Sequence, residues 1–229
     1  MKVSVIIPCY NAGSYLVQAV VSVIKQQTSS PLTTEIIVID DGSTDGCVER
    51  LKESDLKVLH QDHQGASAAR NYGMKKAAGD YLLFLDADDK LVSDAIESLY
   101  QGLLLHECDV VLGMAEEFIS EEITVTAAAE LSKKEVPFGA FLSGCCFGKK
   151  EALLKVGFFD TSLNQAGETV DWLARLRNSD LKVVQLNKIT VHRRIHLTNS
   201  GRVMAQGQMQ DYATIIRRRL LAQRMNNKK

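Results

Sequence analysis

Three short apolar runs of this 229-residue chain end in side chains suited to holding a charged ligand. The run Val3–Ile7 opens into Pro8-Cys9-Tyr10-Asn11. The run ending at Ile39 opens into Asp40-Asp41-Gly42-Ser43-Thr44-Asp45, and Tyr81–Leu85 opens into Asp86-Ala87-Asp88-Asp89. A carboxylate accepts hydrogen bonds from a base N–H or a ribose hydroxyl, whereas two adjacent carboxylates repel unless a cation sits between them. Magnesium or manganese takes one or two protein carboxylates and completes its shell with phosphate oxygens and water. Acid-lined ends therefore suggest a nucleotide held with a divalent metal. Turn and cap duty is the plainer account of Asp40–Ser43, since Asp, Gly and Ser dominate turns. The three carboxylates of Asp86–Asp89 exceed what a cap needs. Arg70, in the small-residue stretch Gly65–Gly73, can pair with a phosphate or with one of these acids.

The elements that must position these residues follow from periodicity. Val3–Ile7, Glu35–Asp40, Lys57–Leu59, Tyr81–Leu85 and Asp109–Leu112 read as strands without strict apolar/polar alternation, as burial on both faces requires. Amphipathic segments lie between most of them. Ser14–Gln27 has Leu16, Val20, Val23 and Ile24 at helical spacing, Ser43 or Thr44 can cap a helix running to Leu51, and another helix starts near Ser93. This alternation predicts right-handed βαβ units and an α/β fold with a mostly parallel sheet. Ligands of such sheets sit outside the carboxyl ends of the strands, where the acids lie. From about residue 114 the rhythm stops. Met114–Thr126 mixes apolar and acidic residues, and Ala127–Glu135 reads as a polar helix or loop. Glu168–Asn178 is a helix with Val170, Leu173 and Leu176 inward, and strands follow at Lys182–Leu186 and Thr190–Arg194. The expected organisation is a ligand-binding half over residues 1–113, a second half of the same domain over 114–206, and a basic C-terminal helix over 207–229.

Composition narrows the class. Hydrophobic residues make up 45% and charged residues 24%, which excludes wholesale disorder, and 27 Lys and Arg against 28 Asp and Glu leave a formal charge of -1. That balance gives no chain-wide attraction to nucleic acid. The five cysteines are odd in number and include no Cys-x-x-Cys, which favours a reducing, cytoplasmic setting. No apolar stretch approaches the roughly 20 residues of a membrane span. The tail after Asp211 carries Arg217, Arg218, Arg219, Arg224, Lys228 and Lys229 beside Ile215, Ile216, Leu220 and Leu221. It reads either as a helix docked on its own domain or as a peripheral contact with an anionic membrane.

Four segments occur in order: Val3–Asn11, Ile36–Asp45, Gly65–Gly73 with Ala69-Arg70-Asn71, and Gly79–Asp89. Together they resemble the signature of family 2 glycosyltransferases. The resemblance implies a GT-A type, Rossmann-like fold whose donor is a nucleotide-diphosphate sugar, most simply a UDP-sugar, and whose cofactor is a divalent metal, Mn or Mg. Carried over by position, Pro8, Tyr10, Asp40, Asp41 and Arg70 would contact the nucleoside and its phosphates. Asp86 would reach the ribose or the metal shell, and Asp88 would ligate the metal.

The second half is similar to the acceptor side of the same family. Phe147–Asp160 resembles the stretch leading to its Gly-x-Phe-Asp turn, and Gly167-Glu168-Thr169-Val170-Asp171-Trp172 occupies the place of its Glu-Asp pair, whose Asp is the usual base. Thr169 stands at that Asp position. Glu168 and Asp171 then compete for the role, with Asp171 preferred because a helix N-terminus weakens Glu168 as a base. Arg193–Ser200 resembles the family's basic, His-containing flap. His192 and His196 lie four apart on a predicted strand, roughly 13 Å, too far to share one ion, and His196 is the expected metal or diphosphate ligand. His60, His63 and His106 are expected in solvated loops or at helix ends.

The implied reaction is sugar transfer, with inversion, to a hydroxyl or similar nucleophile on a saccharide, a lipid-linked saccharide or a peptide. Because of Thr169, a nucleotide-sugar binding protein without turnover is the alternative. A nucleotidyltransferase would want a Gly-rich basic loop after the first strand, and an Asp-x-Asp phosphatase would place its pair early with Thr or Val following. Neither pattern is present.

Overall fold

A computed structural model describes residues 1–51, 56–124, 131, 133–139, 143–163, 167–199 and 209–218. Its first strand, β1 (Lys2–Cys9), is buried along nearly its whole length and pairs in parallel with β2 (Thr33–Asp40) on one side and β4 (Tyr81–Phe84) on the other. β3 (Leu56–His60) extends this parallel block beyond β2. The sheet continues through β8 (Cys146–Lys149), antiparallel to both β4 and β6 (Val110–Ile119), then through β9 (Val183–Ile195) to β5 (Lys90–Leu91). β7 (Phe138–Gly139) pairs with β6. The result is the expected α/β fold with a mostly parallel sheet. The division expected between residues 113 and 114 falls inside β6.

Helices cover the sheet. α1 (Tyr15–Ile24) buries Leu16, Ala19, Val20 and Val23, and α3 (Ala95–Leu105) buries Ile96, Leu99 and Leu103. α2 (Ala66–Lys76) packs so closely on β1 that a methyl group at Gly73 would overlap Ile6. Small residues in this stretch therefore serve close helix–sheet approach, which brings Arg70 over the strand ends. α4 (Lys150–Val156) and α5 (Glu168–Arg177) follow in the second half.

Two expected elements differ. No α-helix runs from Ser43 or Thr44 to Leu51, where the chain makes only a 3-10 turn at Val48–Arg50. The backbone N–H groups here are taken by side chains: Ser43 N donates to Asp40 Oδ1 at 2.9 Å, Thr44 N to Asn11 Oδ1 at 2.8 Å and Cys47 N to Asp45 Oδ1 at 3.0 Å. Short polar side chains have outcompeted the helix. Lys182–Leu186 and Thr190–Arg194 are one strand, β9, and its register against β6 shifts on either side of Met114. Asn187-Lys188, which reads as an interruption, lies within this irregularity. β6 likewise continues past Leu112 to Ile119, with buried Glu117 paired to Arg193 at 2.7 Å.

The C-terminal helix, residues 209–218, lies against its own domain. Asp211 and Ile215 are buried, Gly167 N donates to Asp211 Oδ2 at 3.1 Å, and Arg218 pairs with Asp160. Ile215 therefore faces inward, while Ile216 is exposed. Most of Ala127–Glu135, and Arg219, Leu220, Leu221, Arg224, Lys228 and Lys229, lie outside the described residues.

Candidate active site

The carboxyl ends of β1, β2 and β4 open onto one cleft of about 1180 Å³. At one end stand Pro8, Tyr10, Asp41, His63 and Gly65; at the other stand Asp86, Asp88, Glu168 and His196. This is the crevice outside the strand ends, where the strand order turns back at β1.

At the first end Asp41 is 2% exposed and fully engaged by its own loop. Its Oδ1 accepts from Gln61 Nε2 at 2.6 Å and Gln64 N at 2.8 Å. Its Oδ2 accepts from Gly65 N at 2.8 Å and lies 2.9 Å from His63 Nδ1. Asp41 thus shapes the 61–65 loop while lining the cleft. Gly42, at φ +80°, makes the turn that lets the loop close, since any Cβ there would lie 3.2 Å from His63 N. Asp40 is buried and does not line the cleft. Burial raises its carboxyl, but hydrogen bonds from Ser43 and His60 outweigh this and hold it below the ordinary range. Since the folded value is the lower, its contribution to stability is present above the unfolded value and is lost as pH falls through the folded one.

His63 is no bystander. Its ring stacks on the half-exposed Tyr10 with centroids 4.0 Å apart and planes 27° from parallel. The resulting platform suits a flat ring such as a nucleobase. The signal available in the sequence was His63 lying two residues before Gly65, but a lone polar histidine in a loop carries no periodicity to mark it.

At the other end Arg70, 5% exposed, bridges two acids: Nη2 donates to Asp86 Oδ1 at 2.7 Å and Nη1 to Glu168 Oε1 at 3.2 Å. Arg70 therefore pairs with two acids at the cleft. Arg70 Nε and Glu168 Oε2 are buried with no hydrogen-bond partner among the described residues. Leaving a buried donor and a buried acceptor unmet costs about 1–3 kcal/mol each.

Asp88 Oδ2 lies 2.9 Å from His196 Nε2, and His196 Nδ1 lies 2.9 Å from Thr198 Oγ1. His196 follows β9 directly and lies at the cleft, whereas His192 sits 3.6 Å from Glu116 and outside it. Among the described residues no three His, Cys, Asp or Glu side chains converge on a metal position. One carboxylate oxygen and one imidazole nitrogen nevertheless fit a Mn or Mg ion that takes its remaining ligands from a diphosphate and water. Burial, then the charges of Asp88 and Asp86, push the neighbouring Asp89 carboxyl well above the ordinary range.

Asp171 is not brought to the cleft. It pairs with Arg175 at 2.8 Å, and Arg175 in turn donates to the carbonyls of Val156 and Phe158 at 2.7 and 2.8 Å. One turn of α5 separates Glu168 and Asp171, yet only Glu168, with Thr169 and Val170, borders the opening. Asp171, preferred as base from the sequence, instead braces Arg175 against the carbonyls on either side of Gly157. Tyr212 of the C-terminal helix and Lys134, neither singled out by sequence, also line the cleft.

Asp41→Ala is expected to cost about 3 kcal/mol of folding stability, because it strands the Gln64 and Gly65 N–H groups. Urea unfolding measures this. Unchanged stability with lost nucleotide binding would instead make Asp41 a direct ligand contact.

The profile of glycosyl transferase family 2 matches residues 4–149. Glycosyltransferase GlyG of Streptococcus pneumoniae serotype 4 is 39% identical over 117 residues, covering 48% of this chain and 38% of GlyG. Glycosyltransferase GlyA of the same strain is 36% identical over 126 residues, covering 53% of this chain and 18% of GlyA. The chain thus spans well under half the length of these relatives. Among solved structures, S. aureus TarS 1-349 in complex with UDP-GlcNAc superposes with a TM-score of 0.66 at 23% identity, over 90% of this chain and 61% of that one. GalNAc-T7 with UDP, GalNAc and Mn2+ gives a TM-score of 0.69 at 19% identity, over 95% and 48%. These likenesses show the fold, that of GT-A glycosyltransferases. The matched profile spans more than half of the chain and holds the strand ends that build the cleft, so the chain belongs to glycosyl transferase family 2.

Proposed function

We propose that this chain transfers a sugar from a nucleoside-diphosphate donor, UDP-linked, to a hydroxyl of an acceptor, with inversion and with help from a divalent metal. The observation that carries the reading is the juxtaposition, in one cleft, of the Asp88–His196 pair and the unmet Glu168 Oε2. Pro8 and the Tyr10–His63 platform would hold the nucleoside. Asp88 and His196 would hold the metal, with Asp86 beside them fixed by Arg70. A metal bound there would neutralise the charge of the departing diphosphate. Glu168 would take the proton of the attacking hydroxyl, with Arg70 orienting the carboxylate through Oε1. The UDP-GlcNAc bound to TarS and the UDP bound to GalNAc-T7 support the choice of nucleobase, and the Mn2+ of the latter supports the metal.

Thermal melting with UDP, GDP, CDP and their sugars, with and without Mn2+, tests the donor. At 100 times Kd a ligand of the folded state adds about 2.7 kcal/mol, or roughly 5–10 °C for a chain of this size. The expected result is such a rise with UDP or a UDP-sugar and Mn2+. No rise with any nucleotide would sink the reading. Thr169 at the family's Asp position favours a second reading, a binding protein without turnover. Binding with no sugar-nucleotide hydrolysis or transfer over a broad acceptor panel would favour it.

A further inference from the structure

Arg194 lies near the end of β9, two residues before His196, and is 2% exposed. Its guanidinium is held on every side. Nε donates to the Asp88 carbonyl at 2.8 Å, Nη1 to Ser120 Oγ at 2.9 Å and Nη2 to Gln18 Oε1 at 2.7 Å. The rings of Tyr15 and Phe118 lie 4.4 and 4.7 Å from its central carbon. Taking a cation out of water costs several kcal/mol unless its hydrogen bonds are met, and an aliphatic side chain would fill the gap between two rings without that cost. What the guanidinium adds over an aliphatic side chain is a fixed grip on Asp88.

The backbone around Arg194 makes the same connection. Arg194 N donates to Asp89 Oδ1 at 2.9 Å, and Arg194 O accepts from Asn199 Nδ2 at 3.1 Å. Asn199 Oδ1 accepts from His196 N at 2.7 Å, and its Nδ2 lies 3.4 Å from Asp88 Oδ2. The segment from Arg194 to Asn199 and the residues after β4 are thereby tied at three points around the Asp88–His196 pair. Asp88 and His196 come from segments 108 residues apart. Their 2.9 Å approach is set by nothing local, so some tertiary contact must set it.

We propose that Arg194 is the positioning residue of the metal site. It locks the Asp88 main chain to β9 and so presents Asp88 Oδ2 and His196 Nε2 at a separation one divalent ion can bridge. This rests on the metal reading of the cleft. Because a cation near the site also opposes a bound metal by charge alone, the discriminating variant is Arg194→Lys, which keeps the charge and loses the planar three-way grip. Gln18→Ala and Ser120→Ala loosen the guanidinium from its far side without touching either proposed ligand.

The experiment titrates Mn2+ into protein with UDP, reading free Mn2+ by electron paramagnetic resonance, and separately measures UDP binding in chelator. Arg194→Lys is expected to weaken Mn2+ binding about 10–100-fold, as loss of supporting contacts to metal ligands does, with metal-free UDP affinity unchanged. Gln18→Ala and Ser120→Ala shift Mn2+ binding in the same direction by less, and they carry the test if Arg194→Lys fails to fold. Wild-type Mn2+ affinity in the folded variants overturns the proposal, as does an equal loss of UDP affinity in chelator, which would mark a general packing role. No Mn2+ uptake by the wild-type protein with UDP overturns the metal reading itself and the proposal with it.

Discussion

Glu168→Gln is expected to lower turnover by about 100- to 10,000-fold while leaving donor affinity within a few-fold, the range general-base removal spans. The amide is nearly isosteric and still accepts from Arg70 through its oxygen, so the cleft keeps its shape. It carries no charge and cannot retain the acceptor's proton. Steady-state kinetics on sugar-nucleotide hydrolysis, and on transfer once an acceptor is found, read the split between kcat and KM. Asp171→Asn is the paired control. Its carboxylate braces Arg175 outside the cleft, so its loss should show in melting temperature before it shows in turnover. A more damaging Asp171→Asn would restore Asp171 as the base, and near-wild-type turnover in Glu168→Gln would remove Glu168 from the role. Thr169→Asp in the Glu168→Gln background adds a gain-of-function arm, because Thr169 lines the same opening. Recovered turnover there would show that a carboxylate one residue on can reach the acceptor.

Asp88→Asn should remove most of the metal's contribution to UDP binding, a loss on the order of 100-fold with Mn2+ present and little change in chelator. The physical reason is the thin donor set. If one carboxylate oxygen and one imidazole nitrogen are the protein's share, the ion would depend on the diphosphate, and substituting a neutral amide for the charged member of that proposed pair would remove the attraction between site and metal. Calorimetric titration of UDP with Mn2+, with Mg2+ and with chelator, on wild type and variant, measures it. Equal affinities across all these conditions would exclude the metal role of Asp88. His196→Ala should weaken binding in the same conditions, and His192→Ala should not, since His192 pairs with Glu116 away from the cleft.

The centre of the parallel block was legible because β1, β4 and most of β2 are buried and so appear as apolar runs, each ending where polar residues begin. Val3–Ile7, Glu35–Asp40 and Tyr81–Leu85 lie within one residue of β1, β2 and β4 except that β1 runs two residues further, to Cys9, and β2 starts two residues earlier. The second half was harder. β9 pairs out of step with β6, and an irregular ladder puts polar Asn187-Lys188 inside a strand, where pattern reading breaks it. The lost helix after Ser43 has a similar cause, since Asp and Asn side chains competing for backbone N–H groups leave the same composition as a capped helix.

The sequence by itself determined the residue types of the site and the strand ends that carry them, because both are local properties: a run of apolar residues, then the acids at its close. It also singled out His196 over His192, through the matching flap, and of the two only His196 lines the cleft. Only the tertiary structure decided which side of α5 meets the cleft. Glu168 and Asp171 lie three residues apart, about 60° around the helix, and their difference comes from partners far away in sequence, Arg70 for one and the turn held by Arg175 for the other. Only the tertiary structure, too, joined Asp88 to His196 across 108 residues, by the buried guanidinium of Arg194, for which a sequence of basic residues in a flap gives no sign of burial. Long-range contacts carry no period along the chain, so they become visible only once the chain is folded.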